Sequence, residues 1–333
     1  MAKRKSKLYI FIAGFSVFIF LAYTFTPVYL KENTLIDIPY GTKTWKIAYI
    51  LYENGIIRNP LSFLLLHLLK KEKLEAGEYE FNGYVSPWEA YRKIADGDHK
   101  LYRIVIPEGS DIFDIANILE KNGICKAEDF IEYATSPETV KKYGLYSYSM
   151  EGFLFPDTYF LSKNTHPLRI IDLMFSNFLS KTRHLLPKVK ERGLSIEAWV
   201  TIASMIEKET FIDEERPLIS AVIYNRLKRR MKLQIDPTVI YALKRQGKWR
   251  GFLVKTDMNI DDPYNTYKYF GLPPSPIANP GLKSLEAALN PAPVNYLYFV
   301  ATPSGRHIFS STYKKHVNHI IKIKRYKKKQ RSS

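Results

Sequence analysis

The sequence predicts an α+β chain with an N-terminal transmembrane helix, small α/β modules and a C-terminal mixed α+β domain. Three observations carry that expectation. A stretch without charge runs from Leu8 to Phe25. Residues 38–56 recur, in altered form, at 106–124. Residues 195–239 show helical periodicity and lead into proline-fixed polar loops.

The N-terminus comes first. Residues 1–7, MAKRKSK, are basic, and LYIFIAGFSVFIFLAYTF follows with Tyr9 and Tyr23 near its two ends. That arrangement reads as a single-pass anchor, with aromatic residues at the interfaces and the basic end in the cytoplasm. The apolar run is long for a signal peptide, and no A-x-A site follows it. The expectation is a bacterial inner-membrane protein whose body lies on the periplasmic, extracytoplasmic side. Cys125 is the lone cysteine, which excludes an intramolecular disulfide framework. Fifty Lys and Arg stand against 33 Asp and Glu, a net +17. Such an excess suits nucleic acid, a membrane surface or an anionic polymer. Much of it sits at the chain ends, and the expected topology excludes nucleic acid as a partner.

The repeat pairs IPYGTKTWKIAYILYENGI with IPEGSDIFDIANILEKNGI at an offset of 68. Pro39 matches Pro107, Gly41 matches Gly109, and Asn54-Gly55-Ile56 matches Asn122-Gly123-Ile124. Each copy predicts a strand end, a turn and a helix closed by Asn-Gly. Two copies point to paired small modules rather than a solenoid. Between them, 61–70 predicts a helix, 74–81 a strand and 87–94 a helix; 127–135 predicts another helix after the second copy. His67 and His99 are isolated. Glu151–Tyr159 forms an aromatic loop stiffened by Pro156, a packing loop by itself and a sugar platform if it borders a cleft.

A helical region at 166–186 and a basic connection at 187–193 precede the central helix. Ser195 caps that helix, and Ile196, Trp199, Val200, Ala203 and Ile206 share one face. Glu207 lies beside this stripe, where lost solvation favours its protonated form. The ordinary alternative is a glutamate that reaches water or pairs with a lysine. A further helix is expected at about 217–230, with Asn225 and Arg226 able to reach a ligand. In 233–239, LQIDPTV, Gln234 and Asp236 fall on one side if the segment is extended. The loops 262–267 and 271–280 offer amides and hydroxyls suited to sugar hydroxyls; tight turns are the plain alternative. A hairpin is expected from 296–301 and 307–310 around Gly305. His307 and His316 would bind substrate or order loops. The basic tail after Ile321 is expected to be disordered.

Several ordered motifs then resemble one family. They are Ile202–Thr210 (IASMIEKET), Ser220–Leu227 (SAVIYNRL), Leu233–Val239 (LQIDPTV), Asp262–Tyr267 (DPYNTY), Gly271–Pro274 (GLPP) and Pro276–Gly281 (PIANPG). Together with Glu151–Tyr159 and His307–Thr312, they resemble the bacterial endolytic murein transglycosylases, the YceG-like family. The resemblance implies LysM-like modules ahead of a catalytic domain. The expected boundaries are a basic segment 1–7, a transmembrane helix 8–27, a first module 28–100, a second module with the aromatic loop 101–160, a catalytic domain 161–321 and a basic tail 322–333.

The resemblance further implies cleavage of the β-1,4 bond from N-acetylmuramic acid to N-acetylglucosamine inside peptidoglycan strands. The product would be a 1,6-anhydro-N-acetylmuramic acid end, and cleavage would limit nascent strand elongation. It places the catalytic acid/base at Glu207. Glu209, roughly 200° further around the helix, is expected to support the fold or a loop. Asn225, Gln234, Asp236, Tyr264, Asn265, Thr266 and Asn279 are the candidates for binding sugar. No metal or organic cofactor is implied. Penicillin-binding wall-synthesis enzymes are implied as partners, alongside glycan strands and the inner membrane. Two alternatives stand beside this reading. One is a muramidase that uses water, with Asp236 as second acid; the other is a membrane-tethered glycan-binding scaffold without catalysis.

Overall fold

The structure is a computed structural model that describes residues 2–331, with the side chains of residues 2–10, 13 and 327–331 outside the description. The chain divides into two compact units: Met1–Arg103 with Phe160–Asn164, and Ile104–Tyr159 with Thr165–Ser333.

The first unit begins with helix α1, Ala2–Phe25. This corrects the expectation of a transmembrane helix at 8–27 and of a single-pass inner-membrane protein. Among the described residues, no helix is long and apolar enough to cross a membrane. The uncharged run Leu8–Phe25 has only 18 residues, near the lower limit for a span, and its first residues, 8–10, are among those whose side chains lie outside the description.

Strand β1 (Val28–Ile38) is followed by α2 (Thr44–Glu53), α3 (Pro60–Lys70) and β2 (Gly77–Val85). β1 and β2 are antiparallel, with Ile36 opposite Tyr79 and Ile38 opposite Gly77; the register shifts between Leu30 and Thr34. The second strand starts three residues later than the sequence suggests; α3 ends at Lys70 as expected, with Lys71 in a left-handed conformation, φ 55°. The inward residues Ile36, Ile38, Tyr79 and Phe81 meet Ile47, Leu51 and Phe63 from the helices in one core.

Helix α4 (Pro87–Ala95) closes the unit. Ser86 caps it reciprocally: Glu89 N–H donates to the serine hydroxyl at 3.1 Å, and Ser86 N–H donates to the Glu89 carboxylate at 2.7 Å. Pro87 occupies the first turn, where a missing N–H costs nothing. Ser86→Ala is expected to lower stability by about 1 kcal/mol in urea unfolding.

The repeat survives as local structure. In the first copy, Ile56 N–H donates to Leu51 O at 2.9 Å and Gly55 has φ 69°. In the second, Ile124 N–H donates to Leu119 O at 2.9 Å and Gly123 has φ 67°. The left-handed turn explains why both copies carry glycine there. The second copy supplies α5 (Ile112–Lys121); β3 (Tyr102–Val105) precedes it, and α6 (Ala127–Thr135), α7 (Pro137–Lys142) and β4 (Thr158–Leu161) follow, with β3 and β4 paired.

In the second unit, α8 (Pro167–Thr182) ends before the basic segment, which itself folds as helix α9 (Leu186–Glu191) with Pro187 in its first turn. Helix α10 (Ile196–Glu209) is capped by Ser195, whose hydroxyl accepts from Ala198 N–H at 3.0 Å. Every residue from Trp199 to Glu207 is buried. The apolar stripe therefore faces packed protein, and so does the opposite side. Trp199 Nε1 donates to Leu285 O at 2.8 Å, and Ile277 N–H donates to Ser204 Oγ at 3.1 Å. These bonds fix α10 against α13 (Leu282–Leu289) and the loop before it.

α11 (Arg216–Lys228) and α12 (Asp236–Arg245) follow. β5 (Tyr298–Ala301) and β6 (His307–Ser310) form the antiparallel hairpin, turning near Gly305 at φ 81°. Helix α14 runs over Tyr313–Arg331, so the tail expected to be disordered is helical through residue 331. Its run of Lys and Arg lacks Gly and Pro, and long straight side chains favour helix.

Candidate active site

α10 carries two carboxyls near its end, and they have different surroundings. Glu207 is enclosed: its side chain is 3% exposed. One carboxylate oxygen accepts from Arg216 Nη1 at 3.1 Å, and the other accepts from Gly281 N–H at 3.0 Å. Arg216 also donates to Ser284 Oγ and, through Nε, to Asp213 at 3.2 Å. Glu207 is thus one partner in a buried pair joining α10, α11 and the start of α13. A Cβ on Gly281 would stand 2.0 Å from the Glu108 carboxyl, which would have to move aside. Burial, then the nearby Glu207 charge, raises the Glu108 pKa.

Glu209 is the last residue of α10 and is half-buried. It faces a pocket of about 350 Å³ together with Gln234, Asp236, Arg226, Tyr267 and His307. Thr210 closes the helix in an extended conformation, which turns the chain away just after the carboxyl. Its hydroxyl donates to Glu215 at 3.2 Å. Glu215 also accepts from His307 N–H at 2.8 Å and meets His307 Nδ1 at 2.7 Å. That one carboxylate ties the end of α10 to the start of β6, two walls of the pocket.

The opposite wall is built around Arg226 of α11. Nε donates to Leu297 O at 2.7 Å and Nη1 to Leu233 O at 2.6 Å, with the guanidinium 5.3 Å from the Tyr298 ring centroid. Gln234 holds φ 49°, a left-handed conformation that is costly for a side-chain-bearing residue and clusters at functional sites. The segment 233–239 is therefore not extended. Asp236 instead opens α12, where its carboxylate accepts from the Tyr267 hydroxyl.

Electrostatics separate the two glutamates further. Burial, reinforced by the negative Asp236 and opposed by Arg226, pushes the Glu209 pKa up to about 8. At neutral pH it therefore holds a proton, as a general acid requires. Among the described residues, no group of three or more His, Cys, Asp or Glu converges to hold a metal ion.

Of the residues expected to bind sugar, Gln234 and Asp236 line this pocket. The others do not. Asn225 donates to Val294 O and Tyr296 O, both at 2.9 Å. The Tyr264 hydroxyl pairs with Ser275 Oγ, and Asn265 Nδ2 donates to Met258 O and Ile260 O. Thr266 Oγ1 accepts from Ile235 N–H at 3.0 Å. Asn279 accepts from Gly152 and Leu154 N–H and donates to Ser110 O and Glu151. These side chains satisfy buried backbone and brace the loops around the site. Tyr267 lines the pocket, and Glu215 holds His307, which lines it too; spacing reveals neither role, because each comes from partners far away in sequence.

The profile of the YceG-like family matches residues 36–322. The chain belongs to the YceG-like family. An endolytic murein transglycosylase of Bacillus subtilis (strain 168) is 35% identical over 303 residues, covering 86% of this chain and 83% of that protein. An endolytic murein transglycosylase of Streptococcus pneumoniae serotype 2 is 31% identical over 301 residues, covering 81% of this chain. The match takes in 54% of the pneumococcal protein, so the chain spans about half its length. A crystal structure of a yceG-like protein from Listeria monocytogenes superposes with a TM-score of 0.59 at 32% identity, covering 87% of this chain and 99% of that one. The IEKET segment of this YceG-like chain, residues 206–210, carries both glutamates of α10.

Proposed function

We propose that this YceG-like chain is a lytic transglycosylase that cleaves peptidoglycan strands internally, with Glu209 as the acid that becomes the base. The family membership and the names of its relatives support the activity. The observation that carries the residue assignment is the pocket: Glu209 is half-buried in it and protonated at neutral pH, whereas the Glu207 carboxylate is already bonded to Arg216 and Gly281. The acid/base role expected at Glu207 therefore moves to Glu209 in this reading.

Glu209 would donate its proton to the glycosidic oxygen as the bond from C1 of N-acetylmuramic acid breaks. The leaving N-acetylglucosamine takes that proton as its 4-hydroxyl. Positive charge develops at C1 next to the newly formed Glu209 carboxylate. The sugar's own O6 then attacks C1, and Glu209 takes the O6 proton, which restores the acid. No water is consumed, and the end left behind is 1,6-anhydro-N-acetylmuramic acid. Gln234, whose N–H donates to Thr266 O at 3.1 Å, would orient the sugar. Cleavage within nascent strands would limit their length, and the penicillin-binding polymerases that make those strands are the partners this reading implies.

One observation favours a second reading. Asp236 shares the pocket with Glu209, and two carboxyls can hydrolyse a glycoside with water. Digestion of purified peptidoglycan in oxygen-18 water separates the two. The proposal expects anhydro ends without the heavy label. Reducing muramic acid ends carrying the label would establish the hydrolase instead.

A further inference from the structure

The site contains two carboxyls, and the second has its own fixed support. Asp236 and Glu209 line the same pocket. Asp236 stands in the first turn of α12, a ten-residue helix whose N-terminus favours negative charge. It also accepts the Tyr267 hydroxyl. Tyr267 is held in turn, since its N–H donates to Asn265 Oδ1 at 3.0 Å and Asn265 is anchored by two backbone carbonyls.

We propose that Asp236, clamped by Tyr267, is a positioning residue that acts through Glu209 by setting the pH range in which Glu209 keeps its proton. This inference rests on the reading of Glu209 as the acid. A fixed negative charge makes a second one nearby costly, so it favours the protonated neighbour. The other charged and titratable groups around the pocket are Arg226 from α11, Tyr298 from β5, His307 from β6, and Tyr313 and His316 from α14. Arg226 opposes the effect, but its guanidinium is occupied by Leu233 O and Leu297 O. Burial and Asp236 together outweigh it, since the Glu209 pKa stands at about 8. The device lets one carboxyl serve as acid at neutral pH although α10 ends at a pocket open to solvent. Tyr267 belongs to the same device: its own pKa is raised by burial and by the bond to Asp236, so it stays a hydroxyl donor.

The test is the pH profile of glycan cleavage by the full chain and by Asp236→Asn, which keeps the shape and the acceptor for Tyr267 while removing the charge. Loss of the acid form above its pKa defines the alkaline limb of the profile. Removing the negative neighbour is expected to move that limb down by about one pH unit. The ratio of the rate at pH 8 to the rate at pH 6 then falls about fivefold, a change that a purely structural role would not produce. An unmoved limb overturns the inference. So does a loss of about a hundredfold or more at every pH, which would make Asp236 a reacting group. Carbon-13 carboxyl titration of the wild-type chain provides a check that needs no folded variant: Glu209 titrating in the ordinary carboxylate range also overturns it. Glu209→Gln is run beside these. If that variant still cleaves, the reading of the site fails; if it is inactive and the Asp236→Asn limb is unmoved, only this inference fails.

Discussion

Glu209→Gln is expected to fold and to lose cleavage by at least about a thousandfold. The amide keeps the shape of the side chain but can neither give a proton to the glycosidic oxygen nor take one from O6. Each role is worth about 10²–10⁴-fold, and the same group performs both. The variant should also differ from wild type in stability in a pH-dependent way. The Glu209 pKa is about 8 in the folded chain and about 4.3 in an unfolded one. Its contribution to stability is therefore fully present below about pH 4.3 and is lost as pH rises through 8. Glutamine has no proton to lose. Relative to wild type, Glu209→Gln should gain about 1–2 kcal/mol between pH 5 and pH 8, a figure discounted for solvent in the pocket. Thermal melts at the two pH values check this.

Glu207→Gln is expected to act on the fold. It removes the charge facing Arg216, whose side chain is 5% exposed. Breaking a buried ion pair from one side costs about 3–5 kcal/mol, because the remaining charge is buried without its partner. The expected loss lies near 3 kcal/mol, since Asp213 still meets Arg216 Nε at 3.2 Å. Urea unfolding measures it.

The contrast between these residues shows what the sequence could reveal. Helical period located α10, its cap at Ser195 and the apolar stripe, and it correctly put Glu207 beside buried residues. It could not show that the rest of the helix is buried too. Burial on all sides is set by α13, α11 and the loop at 276–281, which come from distant sequence. Beside the stripe, Glu207 therefore found Arg216 rather than a cleft. Glu209 looked like the residue on the wrong face, yet α10 ends there, and the pocket is assembled from the hairpin, α12 and α11. The repeat was legible because Asn-Gly closes each helix by a local rule. The loops at 262–267 and 276–281 were legible as rigid and polar, but Asn265 and Asn279 spend their amides on buried backbone. Amides that brace a loop and amides that await a sugar have the same letter in a sequence; only their partners distinguish them.

The most direct test of the site is the initial rate of glycan cleavage per folded molecule for wild type, Glu207→Gln and Glu209→Gln, on purified peptidoglycan at pH 7. The account predicts that Glu209→Gln falls below about 1% of wild type, while folded Glu207→Gln stays within about tenfold of it. Near-normal cleavage by Glu209→Gln, with Glu207→Gln folded and inactive, would contradict it.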